Sequence, residues 1–385
     1  MAKKNKKKNA RVHDYLACSF QGGGALGAYQ VGVLKALQEE GYYPDWFVGT
    51  SIGAINAAIA AGNPPEERID KMRQFWEFIA TPSLIDDALF PENTLSRHIQ
   101  HYASSQASLL FGQPGFFVPR FPPPTLPWHN DPQFISYYDT SPLRSTLERF
   151  VDFDRINAGL TRLSLGAVEL SSGGMVYFDS EKQTIKPEHI MASGALPPGF
   201  PAVEIDGLLY WDGGISSNSP VSYVLTDSRA KALLCFMVHL FDSYGLHPTS
   251  LDEILKRKKD IEFSSRFINL VEMQQEIHAL RYRINLLSQY IPDDKKHIPE
   301  LKECLTSGWD RTVALVRFLY QSNESDLSSK DYEFSRKSID ERIENGYKDG
   351  RHGVEQSPWL APVSSTMGID LHDLAVTDHT SSEKM

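Results

Sequence analysis

The sequence predicts an α/β fold with a mainly parallel central sheet, followed by a mainly helical extension. Two observations carry that expectation. Two strand-turn-helix units stand in tandem within residues 15–62, an order that builds parallel strands with helices packed on them. Beyond Pro248 the composition turns toward charged residues with apolar positions at helical spacing. At 385 residues, 41% hydrophobic and 23% charged, the chain is long enough to bury a large core. That composition excludes a disordered, collagenous or disulfide-stapled protein.

The first strand is the apolar run Tyr15–Phe20, which breaks into Gln21-Gly22-Gly23-Gly24-Ala25-Leu26-Gly27. Tyr29, Val33, Leu34 and Leu37 then recur at helical spacing until Gly41, and Pro44 forbids continuation. Trp46-Phe47-Val48 is the second strand. It ends in Gly49-Thr50-Ser51-Ile52-Gly53, and the alanine-rich helix 54–61 follows, stopped at Gly62. Between about Thr81 and Thr140 periodicity is lost, and seven of the 23 prolines (Pro114, Pro119, Pro122, Pro123, Pro124, Pro127 and Pro132) fall within nineteen residues. This reads as a surface excursion with polyproline character.

Leu163 to Leu170 and Met175 to Phe178 flank a Ser-Ser-Gly-Gly turn and read as a hairpin. Asp206-Gly207 joins a second one, 202–205 to 208–211. Leu233 to Phe241 reads as the last strong strand, central because it is apolar almost throughout. In the extension, Phe263, Phe267, Leu270, Met273, Ile277, Leu280, Ile284 and Leu287 form a stripe along one helix. Core or subunit packing is the expected use of that stripe, with a lipid-facing surface the alternative. Three widely separated cysteines, Cys18, Cys235 and Cys304, fit a reducing compartment and give no zinc-ligand spacing.

Gly49-Thr50-Ser51-Ile52-Gly53 fits a nucleophile elbow, in which a serine sits on a tight turn between strand and helix. The pattern alone is weak, but an apolar strand precedes it and a small-residue helix follows. That helix start aims free backbone amides, notably that of Ile52, at the space above the serine. The glycine loop Gly22 to Gly27 also satisfies a dinucleotide fingerprint, which requires an acidic residue at the end of the second strand. That strand ends in Gly49-Thr50-Ser51, so the nucleotide reading fails. Amides of Gly22, Gly23 and Gly24 would instead form an oxyanion hole if the first two strands lie side by side.

A serine nucleophile needs a base. Trp211-Asp212-Gly213-Gly214-Ile215 puts an aspartate at a strand end before a sharp turn, behind the small-residue and proline segment Met191 to Pro201. A serine-acid-histidine triad is the competing arrangement, with His239 or His247 as its third member.

Taken together and in this order, the glycine loop, the Gly-Thr-Ser-Ile-Gly-Ala run, the Ala-Ser-Gly-Ala-Leu-Pro-Pro-Gly-Phe-Pro segment and the Asp-Gly-Gly turn resemble the patatin-like phospholipases, over roughly residues 14 to 242. The resemblance implies a patatin-like three-layer sandwich and a Ser-Asp dyad without histidine. Ser51 would be the nucleophile and Asp212 the base, with Gly22, Gly23, Gly24 and Ile52 as the oxyanion hole and Gly27, Gly49, Gly53, Gly213 and Gly214 as supporting motif glycines. It implies a lipid or other acyl-ester substrate, no cofactor and no metal. Leu26 departs from the pattern, since family members often place Arg or Lys two residues after the third glycine. The alternatives are hydrolysis of another acyl ester, such as a storage polyester, or an inert acyl-binding scaffold.

This organisation gives a basic tail over 1–13, a catalytic domain over 14–242 with the proline-rich insertion at about 81–140, a mainly helical extension over 243–360 and a polar tail over 361–385. Net charge is −10, yet six cations, Lys3, Lys4, Lys6, Lys7, Lys8 and Arg11, lie in the first eleven residues. The acidic body argues against nucleic acid as a partner. Neither a signal-peptide core nor an eighteen-residue apolar span is present, so the expected location is cytoplasmic. Transient membrane contact would fall to the lysine tail or to apolar surface near the proline-rich segment.

Overall fold

Backbone alternation in the computed structural model sorts the strand residues onto two covered faces of one sheet. The structure describes residues 13–81, 94–121, 131–227, 229–264, 267–308, 311–322, 326–366 and 368–374. The lysine cluster, Pro122, Pro123, Pro124 and Pro127, and the last eleven residues of the polar tail lie outside these.

The two tandem units fold as expected: β1 (Tyr15–Phe20), α1 (Ala28–Glu39), β2 (Trp46–Thr50) and α2 (Ile52–Gly62), followed by α3 (Arg68–Phe78). Next come α4 (Thr94–Phe111), β3 (Val118–Pro119), β4 (Tyr138–Asp139), α5 (Ser141–Phe150) and α6 (Phe153–Asn157). Both hairpins form, β5 (Arg162–Glu169) with β6 (Met175–Asp179), and, after α7 (Pro187–Ser193), β7 (Val203–Ile205) with β8 (Leu208–Asp212). Asp206 and Gly207 take φ of 52° and 81°, the positive values a two-residue primed turn demands. The chain continues through α8 (Val221–Thr226), β9 (Ala232–His239), α9 (Leu251–Ser264), α10 (Phe267–Ser288), α11 (Pro299–Ser307), β10 (Thr312–Leu319), α12 (Arg336–Gln356) and β11 (Ile369–Asp373).

The sheet runs β11-β10-β9-β1-β2-β5-β8-β7, with β6 also on β5. From β11 to β5 all neighbours are parallel; only the hairpins at the far end run antiparallel. Leu234, Phe236 and Val238 of β9 face the larger core with α1, α2, α3 and α12, while Leu233, Cys235 and Met237 face a smaller one with α8 and the start of α10. The result is the three-layer sandwich that the resemblance implied.

Three expectations need correction. The sheet does not end with β9: β10 pairs along its whole length, so β9 is central but the region after 242 supplies two further strands as well as helices. The proline-rich insertion is not merely a surface excursion. It holds α4, and Phe116 and Phe117 are buried against Phe200 and Phe334. The apolar stripe is divided between α9, which carries Phe263, and α10. Phe267 is buried, whereas Met273, Leu280 and Leu287 face solvent, because they lie off the face of α10 on which Val271 and His278 are buried and Gln275 Nε2 donates to the Ile369 carbonyl of β11.

β1 is followed by β2 on one side, and the chain returns to β9 on the other. The strand order therefore reverses beside β1, and the crevice outside the carboxyl ends of the strands at such a reversal is where open α/β sheets form their sites.

Candidate active site

The turn after β2 places Ser51 at this edge with φ 57° and ψ −128°, a conformation that costs a non-glycine residue on the order of 1–3 kcal/mol. Surrounding contacts hold it there. The Ser51 amide donates to the Ser193 carbonyl at 3.1 Å, and Ser193 Oγ donates to the Gly166 carbonyl at 2.6 Å. A Cβ on Gly49 would stand 2.2 Å from the Gly53 carbonyl, and one on Gly53 2.3 Å from that of Phe20. Neither position has room for a side chain.

Asp212 ends β8, and its amide donates to the Ala195 carbonyl at 3.0 Å. The small-residue segment after α7 thus bridges the two motifs, bonding Ser51 through Ser193 and Asp212 through Ala195. Asp212 Oδ1 accepts the Gly214 amide at 2.7 Å, and the carboxylate shares the cleft with the Ser51 side chain. Gly213 is pressed on the Gly166 carbonyl, 2.6 Å from where its Cβ would be. Burial pushes the Asp212 carboxyl up to about 7, with the Ser51 and Gly214 hydrogen bonds pulling the other way.

The glycine loop has its carbonyls tied back. Gln30 Nε2 donates to Gln21 O, Asn218 Nδ2 to Gly22 O, Arg342 Nη1 to Ala25 O and Asn56 Nδ2 to Gly27 O. The amides of Gly22, Gly23, Gly24 and Ile52 donate to no protein group among the described residues. Gly22 abuts Ser51 directly, since its Cβ would lie 2.8 Å from that of the serine; Gly27 packs in the same way on Ile52. Gly22, Gly23, Gly24, Ile52, Ser51 and Asp212 all line one cleft.

Most of the remaining wall is aromatic: Phe200 from the small-residue and proline motif, and, from outside the motifs, Phe116 and Phe117, Phe241 and Phe263, and the segment carrying Asp331, Tyr332 and Phe334. Sequence reasoning did not find these, nor Asn218 and Ser193 as supports, because no local spacing marks them. The 330–334 segment lies on the glycine loop. Gly24, at φ 53°, has the Asp331 carbonyl 2.2 Å from its Cβ position, and buried Arg342 donates to the carbonyls of Glu333 (2.7 Å), Lys330 (3.1 Å) and Ala25 (3.3 Å). Leu26, where a cation was expected, is wholly buried, and the cation at this loop is Arg342.

Among the described residues no histidine lines the cleft. His239 Nε2 bonds Ser219 Oγ at 3.0 Å, the ring meets Phe267 edge-on, and burial drives its pKa down to about 3; His247 is exposed. Among the described residues no group of three or more His, Cys, Asp and Glu could hold a metal ion, and no helix is long and apolar enough to cross a membrane. Exposed Phe111 and Phe121 belong to the same insertion as the cleft-lining Phe116 and Phe117.

Residues 18–225 match the family described as patatin-like phospholipase, and residues 261–366 match a second family described as patatin phospholipase. Over 59 residues the chain is 42% identical to triacylglycerol lipase ptl3 of Schizosaccharomyces pombe, a match covering 15% of this chain and 12% of that protein. Among solved structures, VipD from Legionella pneumophila aligns over 89% of this chain and 67% of its own, with 15% identity and a TM-score of 0.37. Full-length ExoU in complex with SpcU, from the type III secretion system of Pseudomonas aeruginosa, aligns over 75% and 60%, with 16% identity and a TM-score of 0.27.

Proposed function

The chain belongs to the patatin-like phospholipase family, and from that premise we propose that it is a lipid acyl-ester hydrolase working through a Ser51–Asp212 dyad. The observation that supports this reading is that Ser51, held at positive φ on its turn, and the buried carboxyl of Asp212, which burial raises to about 7, line one cleft together. A general base poised there is deprotonated often enough to accept a proton and basic enough to hold it.

Ser51 Oγ attacks the ester carbonyl carbon while Asp212 takes its proton. Negative charge gathers on the carbonyl oxygen, where the amides of Gly22, Gly23, Gly24 and Ile52 and the positive end of α2 receive it. The intermediate collapses with cleavage of the bond to the alcohol oxygen, which takes the proton from Asp212. Water then attacks the acyl-serine, Asp212 accepts its proton, and the acid leaves as Ser51 is restored. The aromatic wall suits an acyl chain, and the short likeness to a triacylglycerol lipase makes glycerides the first substrates to try. Free thiols at Cys18, Cys235 and Cys304 support a cytoplasmic setting, which cell fractionation checks.

The test is turnover of a medium-chain ester by Ser51→Ala and Asp212→Asn, with labelling by a fluorophosphonate. Loss of about 10³-fold or more in each, and no labelling of Ser51→Ala, is expected. Activity kept within a few-fold in either variant would remove the dyad. Absence of labelling in the folded wild-type chain would favour the inert scaffold.

A further inference from the structure

The cleft needs an acyl chain's worth of apolar wall and very few polar contacts, so each polar group in it has a partner to account for. Apart from the Ser51 hydroxyl, which the proposed chemistry uses, Asp212 accepts from Gly214, Asn218 donates to the Gly22 carbonyl, and Asp331 Oδ1 is paired with Lys259 Nζ at 2.7 Å. Tyr332 is different. It lines the cleft half-buried, and its hydroxyl has no hydrogen-bonding partner among the described residues.

Its position is fixed rather than incidental. The Tyr332 amide donates to the Ser329 carbonyl at 2.8 Å, Arg342 clamps the carbonyls on either side at Lys330 and Glu333, and the whole turn presses on Gly24 of the glycine loop. Burial, and then the charges of Asp331 and Asp212, keep the phenol protonated well beyond the usual tyrosine range, so it is available as a donor at any working pH. Because the residue lines the cleft, an oxygen of a bound ligand can take the place of water as its acceptor.

We propose that Tyr332 is a specificity-determining residue whose phenol donates a hydrogen bond to an oxygen on the alcohol side of the substrate, selecting acyl esters of a polyol over esters of a simple alcohol. An acyl chain has no acceptor beyond its carbonyl, and the carbonyl oxygen belongs to the amides beside Ser51. The acceptor is therefore a hydroxyl or second ester oxygen of the alcohol moiety. This inference rests on the acyl-hydrolase reading and gives the region after residue 242 a direct part in substrate choice.

The full chain carrying Tyr332→Phe, which keeps the ring and removes only the hydroxyl, is compared with wild type on a monoacylglycerol and on the 4-nitrophenyl ester of the same acid. The expected result is a fall of about tenfold in kcat/KM for the monoacylglycerol, mostly in KM, with the nitrophenyl ester changed less than about twofold. Equal losses on both esters, the mark of an oxyanion donor, or no loss on either, the mark of a plain wall, would overturn the proposal. If wild type shows no Ser51-dependent turnover of either ester, the hydrolase reading itself fails and this inference goes with it, an outcome distinct from an unselective Tyr332→Phe.

Discussion

Asp212 meets two opposed demands. As the proposed base it must ionise, yet burial raises its folded pKa to about 7, against about 3.9 for an unfolded aspartate. A raised pKa stabilises the fold fully below about pH 4, and that contribution is lost as pH rises through about 7. Asp212→Asn, which carries no charge to bury, is thus expected to be more stable than wild type at pH 9 by a few kcal/mol and to converge with it near pH 4. Urea unfolding at the two pH values checks this, and a constant difference between the proteins would contradict it. In the same range kcat/KM of the wild type should climb through about pH 7 as the carboxylate forms. Both residues of the proposed pair, which the structure brings into one cleft, were legible in the sequence, because glycines mark the turns that present them. Ser193, Asn218 and Tyr332 were not. A serine, an asparagine or one of 16 tyrosines becomes meaningful only through contacts set by distant segments.

At the scale of elements, α1 and α12 touch backbone to backbone. A Cβ on Gly32 would lie 1.9 Å from the Ile343 carbonyl and one on Gly346 2.1 Å from that of Tyr29, while Gly350 meets Ala36. Glycine costs a helix roughly 1 kcal/mol relative to alanine, so its presence here reflects the closeness of the helices rather than propensity. Gly346→Ala should force the two apart and lose about 2–4 kcal/mol, whereas Lys348→Ala on the exposed face should stay within about 0.5 kcal/mol. Thermal unfolding of the two variants decides it. The spacing Gly346, Gly350, Gly353 is plain in the sequence, but spacing names a face and not the helix that covers it. The first two strands, by contrast, were predictable to within two residues, since each is a short apolar run bounded by glycine or proline. α4 was missed because its polar residues, with Ser105 and Ser108 buried, hide the apolar period.

For the molecule as a whole, residues 18–225, which match the patatin-like phospholipase family, do not make a closed body without the second matched region, 261–366. Removing everything after Asp242 would bare the β9 edge, uncover α1 and strip Asp331, Tyr332 and Phe334 from the cleft. A 1–242 fragment is expected to aggregate and to hydrolyse nothing; recovery of a soluble, active fragment would refute this. The sequence could not announce the added strands, because β10 lies amid charged helices and strand order is not written in any local pattern. Its consequence reaches into biosynthesis. The Arg342 contact with the Ala25 carbonyl spans 317 positions, and such closures are entropically late. Since translation runs from the amino end, the ribosome releases Ser51 and the glycine loop long before the turn that covers them. A nascent chain thus carries its proposed nucleophile beside an unfinished cleft, and the complete cleft forms only with the final third of synthesis.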